Sequence, residues 1–124
     1  MIIGVGADLV DIARIRGAVE RHGTRFCERI LCPGELESYK MLGEPANYLA
    51  KRFAAKEAVG KALGTGLGKV SWQDIETCHG PGGVPQVLLH NRARERLERL
   101  GASRVLLSLS DEKAYALAFA LLQS

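Results

Sequence analysis

Apolar residues alternate or run together in five short stretches and recur at helical spacing in five others. Ile2 to Ala7 is β-branched and small, which predicts a first strand. Gly4 and Gly6 inside it weaken a strand, so they mark a close approach of another backbone. Asp8 falls at or near the end of that strand. Asp11 or Asp8 then caps a helix running to about His22, with Ile12, Ile15 and Val19 on one face. Gly23-Thr24 breaks it, and a short helix follows over Arg25 to Leu31. Pro33 is a natural first helical residue, which predicts a third helix to about Leu42. Gly43 to Pro45 is a loop.

The strongest helical pattern covers Asn47 to Leu63, rich in Ala, Lys, Glu and Leu and free of Pro. Tyr48, Ala55, Val59 and Ala62 give it a narrow apolar stripe. Gly64-Thr65-Gly66-Leu67-Gly68 ends it sharply. Val70 to Cys78 and Val84 to His90 read as strands joined through Gly80-Pro81-Gly82-Gly83. Asn91 caps a helix to Leu100, on which Arg94–Glu98 and Glu95–Arg99 are i,i+4 pairs. Gly101 stops it. Arg104 to Ser110 and Tyr115 to Leu122 are the last strands, linked by a turn through Asp111, Glu112 and Lys113. The order is β-α-α-α-α-β-β-α-β-β. Strands that follow one another look hairpin-connected, which predicts an α+β fold with a mostly antiparallel sheet. With 124 residues and no linker, low-complexity tract or repeat, one domain over residues 1–124 is expected.

Composition narrows the classes. A hydrophobic fraction of 47% and a charged fraction of 25% exclude disorder. No apolar run reaches the ~18 residues of a membrane span, so no membrane association is expected. Met1 opens into Ile-Ile-Gly-Val-Gly without a basic leader, so no signal peptide is expected. Cys27, Cys32 and Cys78 are odd in number and lack close metal spacing, and read as reduced thiols of a cytoplasmic protein. A net charge of +3 is too mild to indicate nucleic acid, and no aromatic platform for single strands is evident. The distribution of charge says more. Arg14, Arg16, Arg21, Arg25 and Arg29 crowd the stretch from Asp11 to Ile30, against Asp11, Glu20 and Glu28. Such a run is either a solvated helix face or a docking surface for an acidic partner.

Two segments carry potential chemistry. Gly4-Val5-Gly6 is not a dinucleotide fingerprint, because no third glycine follows and no helix opens there. Read from that segment alone, Asp8 is better explained as a helix cap than as a ligand. Glu57 and Lys61 stand i,i+4 on the long helix, with Phe53 one turn earlier, and a surface ion pair is the plain explanation. The glycine-rich turn after them argues for more, since such turns expose N–H groups and admit a phosphate closely. A carboxylate, a lysine and such a turn suit phosphate chemistry with Mg²⁺, which takes one or two carboxylates and fills its shell with water and phosphate oxygens. His22, His79 and His90 show no ligand spacing.

At these residues the chain resembles the holo-acyl-carrier-protein synthase family of 4′-phosphopantetheinyl transferases. Ile3-Gly4-Val5-Gly6-Ala7-Asp8-Leu9-Val10 resembles the family's first motif. Arg52-Phe53-Ala54-Ala55-Lys56-Glu57-Ala58 with Lys61-Ala62-Leu63-Gly64-Thr65-Gly66 resembles its signature. Gly83-Val84-Pro85, Ser108-Leu109-Ser110-Asp111-Glu112 and Tyr115-Ala116 match later blocks. The resemblance implies that the phosphopantetheine arm of coenzyme A is moved to a serine of apo-acyl carrier protein, releasing 3′,5′-ADP, in fatty acid biosynthesis. It implies Asp8 and Glu57 as ligands of Mg²⁺, with Mn²⁺ as a substitute, and Lys61 as the cation on the phosphates. Arg52, Lys61, Gly64, Thr65, Gly66 and Pro85 become the expected contacts of coenzyme A as co-substrate. Arg14, Arg21 and Arg25 become the surface that docks the carrier protein. It also implies a homotrimer with sites at the subunit interfaces. Larger relatives carry a third acidic ligand where this chain has Val10, so water completes the metal shell here.

Two other classes compete. A non-catalytic module binding acidic carrier proteins would have no need of the Asp8, Glu57 and Lys61 set. A different Mg²⁺-dependent diphosphate-cleaving enzyme would have no need of the arginine helix.

Overall fold

A computed structural model describes all residues 1–124. The elements are β1 (Ile2–Asp11), α1 (Ile12–His22), α2 (Thr24–Ile30), α3 (Pro33–Met41), α4 (Ala46–Leu63), β2 (Ile75–His79), β3 (Pro85–Leu89), α5 (Asn91–Arg99), β4 (Arg104–Asp111) and β5 (Tyr115–Gln123). The order matches the α+β expectation. The strands form two antiparallel sheets, a three-stranded β1-β5-β4 and a two-stranded β2-β3, and α4 packs against the first.

α4 is buried on nearly every side, which replaces the expected narrow stripe. One side meets β1 and β5, while α1, α2 and β2 cover others. Small residues make this possible. A methyl group on Gly4 would strike the Ala62 carbonyl, and one on Gly6 would strike the Ala58 carbonyl. On the same face of the sheet, β5 offers Ala116, Ala118 and Ala120, all fully buried, with Ala120 opposite Gly6. The glycines of β1 thus let strand and helix backbones touch, as their position in a strand implied.

β1 continues past Ala7 to Asp11 because it keeps pairing with β5 as far as Tyr115. Asp8 therefore sits within the strand, opposite Ala118, rather than at its end. Asp11 is the α1 cap, its Oδ1 accepting from the Ala13 N–H at 2.9 Å. This resolves the alternative in favour of Asp11 and leaves Asp8 free of any capping duty.

Three further expectations change. Val70 to Cys78 is not one strand. Ser71 Oγ accepts from Gln73 N at 3.1 Å and Asp74 Oδ2 from Ser71 N at 3.0 Å, so a 3₁₀ turn forms over Trp72–Asp74. Local side-chain bonds outcompete the ladder there. Asn91 does not cap α5; His90 holds that position, and the Asn91 amide reaches Asp74 Oδ1 at 3.2 Å. Of the two i,i+4 pairs on α5, only Arg94–Glu98 forms, at 3.4 Å.

Alternation on the three-stranded sheet leaves one face bare. Val5, Leu9, Leu106, Leu117 and Phe119 all point away from α4 and are exposed. No helix of the chain is long and apolar enough to cross a membrane.

Candidate active site

Asp8 on β1 and Glu57 and Lys61 on α4 come together where strand and helix backbones touch. Lys61 Nζ donates to the Ala7 carbonyl at 2.8 Å and to Asp8 Oδ1 at 3.2 Å. It does not pair with Glu57, so the plain explanation of a Glu57–Lys61 ion pair fails. Asp8 is largely covered, whereas Lys61 is half exposed. Glu57 is left as a partly buried carboxylate without an ion-pair partner. Burial first, and the Asp8 carboxylate second, push its carboxyl above the ordinary range; Lys61 and Arg14 pull back only in part. Lys61 thus compensates Asp8, and Glu57 is the carboxylate left without a cation in contact.

That deficit is the observation that fits a divalent cation. Mg²⁺ is satisfied by one or two carboxylates plus water and phosphate oxygens. Asp8 and Glu57 are the residues that would hold such an ion, since a cation between two carboxylates relieves their repulsion.

The glycine turn behaves differently from expectation. Gly64 closes α4 in the left-handed conformation, with φ 77°. Its N–H bonds to Lys61 O at 3.0 Å, and the Thr65 and Gly66 N–H groups bond to Gly60 O at 3.2 and 3.0 Å. These donors finish the helix and are not offered to a phosphate. The turn folds back tightly enough that Gly60 and Gly66 lie in contact.

Arg14 on α1 lies over the Phe53 ring at 5.7 Å, beside Glu57. Arg21 and Arg25, with Arg29 and Phe26, line an open basic groove of about 440 Å³ across α1 and α2. Arg21 and Arg25 thus lie on open surface, and Arg14 stands at the edge of the cluster. Pro85 begins β3 in the separate two-stranded sheet. Arg52 stands five positions before Glu57, so about 140° around the helix, and the structure does not bring it to the cluster. It is buried against Tyr48 instead.

Sequence reasoning missed the residue next to Glu57. Lys56 is completely buried and donates to Ile30 O at 2.6 Å, Glu35 Oε1 at 2.6 Å and Trp72 O at 3.1 Å. Glu35 also accepts from Cys32 N at 2.7 Å, Thr77 N at 2.8 Å and Thr77 Oγ1 at 2.6 Å. Burial pushes the adjacent Cys32 thiol up to about 11, so it stays protonated. This hub ties α2, α3 and β2 to α4 and sets which way Glu57 faces. The available signal was a lysine flanked by Ala54, Ala55, Ala58 and Val59 on a helix that must be buried.

A close-packed α+β chain that sets an unpaired carboxylate beside an Asp8–Lys61 pair and a basic groove has a charge arrangement suited to handling polyanionic phosphates. The comparison with known proteins makes this specific. Residues 4–120 match the 4′-phosphopantetheinyl transferase superfamily, and the chain belongs to that family. It is 50% identical over 123 residues to the holo-[acyl-carrier-protein] synthase of Halorhodospira halophila, covering 98% of each chain. It is 51% identical over 122 residues to that of Shewanella amazonensis, again covering 98% of each. The crystal structure of the Neisseria meningitidis synthase superposes with a TM-score of 0.91 at 45% identity, covering 100% of both chains. The Helicobacter pylori synthase in complex with coenzyme A superposes with a TM-score of 0.84 at 32% identity, covering 96% of this chain and 99% of that one.

Proposed function

We propose that this chain is a holo-acyl-carrier-protein synthase. It transfers the 4′-phosphopantetheine group of coenzyme A to a serine hydroxyl of apo-acyl carrier protein, giving holo-acyl carrier protein and 3′,5′-ADP. The observation that carries the reading is the Glu57 carboxylate left without an ion-pair partner beside the Asp8–Lys61 pair.

Phosphoryl transfer asks a protein for positioning and charge stabilisation more than for covalent chemistry. Asp8 and Glu57 would hold Mg²⁺, or Mn²⁺ in its place; once bound, the ion neutralises the diphosphate and makes its phosphorus a better electrophile. Lys61, tethered to Ala7 O and half exposed, keeps a cation beside the phosphate oxygens as 3′,5′-ADP departs. Gly64, Thr65 and Gly66 contribute close backbone approach rather than N–H donors. Arg14, Arg21 and Arg25 orient an acidic carrier protein so that its serine arrives at the Glu57 end of the groove.

The bare apolar face of β1, β5 and β4 supports a homotrimer. In a trimer, Pro85 of one protomer is available to a neighbour's coenzyme A. The three unbridged cysteines support a place in the cytoplasm, and the acceptor class supports a role in fatty acid biosynthesis. Mass spectrometry of apo-carrier protein incubated with enzyme, coenzyme A and Mg²⁺ tests the reading. The expected result is a gain of one phosphopantetheine, abolished by chelator and restored by Mg²⁺. Hydrolysis of coenzyme A without modification of the carrier would overturn it, as would binding of the carrier with no reaction.

A further inference from the structure

α5 carries Arg92, Arg96 and Arg99 at i, i+4 and i+7, so the three share one face of the helix. With Lys69 they wall a cavity of about 450 Å³ beside the Gly64-Thr65 end of α4. One carboxylate, Glu95, lies on the same cavity. None of these five charged groups forms an ion pair. Glu95 is exposed, and at full strength it still leaves a balance of three positive charges. Like charges at i,i+4 repel, so gathering these arginines on one face costs the helix stability. Arg92 and Arg99 are exposed and recover none of that cost through an ion pair within the chain.

Arg96 is held in place. It is half-buried, and its Nε donates to the Leu63 carbonyl at 2.9 Å, at the negative end of α4. That bond uses one of the five N–H donors of the guanidinium and steadies its fork. Its Nη2 lies beside Gly64, 3.4 Å from where a β-carbon would stand. The remaining donors are therefore positioned before any ligand arrives, which lowers the cost of binding. Val70 is the one apolar residue on the wall, and no aromatic ring is there to stack a base. The row from Arg92 to Arg99 runs about 10 Å along the helix, longer than one phosphate group covers.

We propose that this cavity binds a compact polyphosphate, either the free di- or triphosphate ion or the phosphate chain of a nucleotide whose base stays in solvent. The fork of Arg96 takes the innermost phosphate, and Arg92, Arg99 and Lys69 follow the chain outward. The cavity contains none of Asp8, Glu57 and Lys61 and none of the arginines of the α1–α2 groove. It does not depend on the reaction proposed above.

The test titrates the metal-free full chain at fixed ionic strength, following the Arg96 Nε–H resonance by NMR and affinity by calorimetry. The probes are tripolyphosphate, pyrophosphate, orthophosphate and ATP. We expect a saturable shift with tripolyphosphate at one ion per chain, and orthophosphate should bind about tenfold more weakly. ATP binding within about threefold of tripolyphosphate makes nucleotides a source of the ligand, and failure of ATP to bind leaves the free ion as the source. The exposed double change Arg92→Gln/Arg99→Gln should weaken binding about tenfold, whereas Arg92→Lys/Arg99→Lys should keep most of it. No saturable shift overturns the proposal. So does unchanged affinity in folded Arg92→Gln/Arg99→Gln, because the ion would then sit in the α1–α2 groove. Displacement of tripolyphosphate by one equivalent of coenzyme A also overturns it, since the cavity would belong to the coenzyme A site. Tighter binding of a short single-stranded oligonucleotide at the same resonance would overturn it in favour of a nucleic-acid surface.

Discussion

On α4, Lys56 points into the protein and Glu57, the next residue, points out of its packed interior. Lys56 gives all three of its N–H donors to Ile30 O, Glu35 and Trp72 O, and Glu35 returns four acceptor contacts. Nothing polar is left over. Glu57 has no cationic partner, and its nearest charged neighbours include a second carboxylate. The same residue types serve opposite ends. The inner pair is complete and holds three elements on α4, whereas in the outer set Lys61 pairs with Asp8 and Glu57 is left unpaired, as the proposed Mg²⁺ site requires. Complete satisfaction belongs to the frame, and a charge deficit belongs to the binding end.

The largest effect is expected at the frame. Lys56→Met leaves Glu35 buried without its cation and should cost about 3–5 kcal/mol in urea unfolding. Combining it with Glu35→Leu should recover most of that loss, which a double-mutant cycle would measure. If Lys56→Met were neutral, the two regions would not differ as described.

The reverse is expected at the outer end. Glu57→Gln should lower kcat by about 10²–10³-fold without loss of fold, read by mass spectrometry of the carrier protein. Asp8→Asn should match it, and the double variant should be little worse than either, since groups acting as one unit are not additive. Glu57→Gln also sharpens the comparison through pH. The raised pKa means that the folded chain keeps a proton on Glu57 which the unfolded chain has already lost. Between those two pKa values, metal-free wild type should lose stability as pH rises. Glu57→Gln should flatten that slope and melt no lower than wild type at neutral pH.

A smaller effect tests the contact that joins the two regions. Gly6→Ala forces β1 away from the Ala58 carbonyl and should cost about 1–3 kcal/mol. Because the same shift separates Asp8 from Glu57, the Mg²⁺ concentration needed for half-maximal rate should rise. The smallest effect is at the rim. Arg21→Ala should raise KM for carrier protein several-fold, in line with about 0.2–1 kcal/mol for an exposed pair. Added salt should shrink the difference from wild type, and KM for coenzyme A should stay put.

Much of this was legible in the chain, and the reasons are local. Gly4 and Gly6 sit in a strand where no turn needs them, so a close backbone contact was readable. Glu57, Lys61 and the turn after them stood out because short-range spacing carries them, whereas Asp8 read as a helix cap and joined them only through the family resemblance. What escaped reading depends on distant pairing. Glu35 and Lys56 are 21 residues apart, and nothing in either neighbourhood names the other. The donors of the glycine turn looked free because their use by Gly60 O appears only once α4 has ended. Val70 to Cys78 looked like a strand because its apolar content outweighed the Ser71–Asp74 turn chemistry. Arg52 travelled with its motif, although five helical positions turn it away from Glu57.

The alternation along β1 has one more consequence. Asp8 and the apolar residues Val5 and Leu9 lie on opposite faces of one strand, so a slip of one residue against β5 would exchange them. The carboxylate would leave the cluster, and a charge would appear on the surface proposed to join protomers. In the proposed trimer, a misregistered chain would be barred from assembly by the same error that would disarm it. Association of protomers in that trimer would then act as a proofreading step, sorting correctly registered chains from faulty ones before any substrate is met.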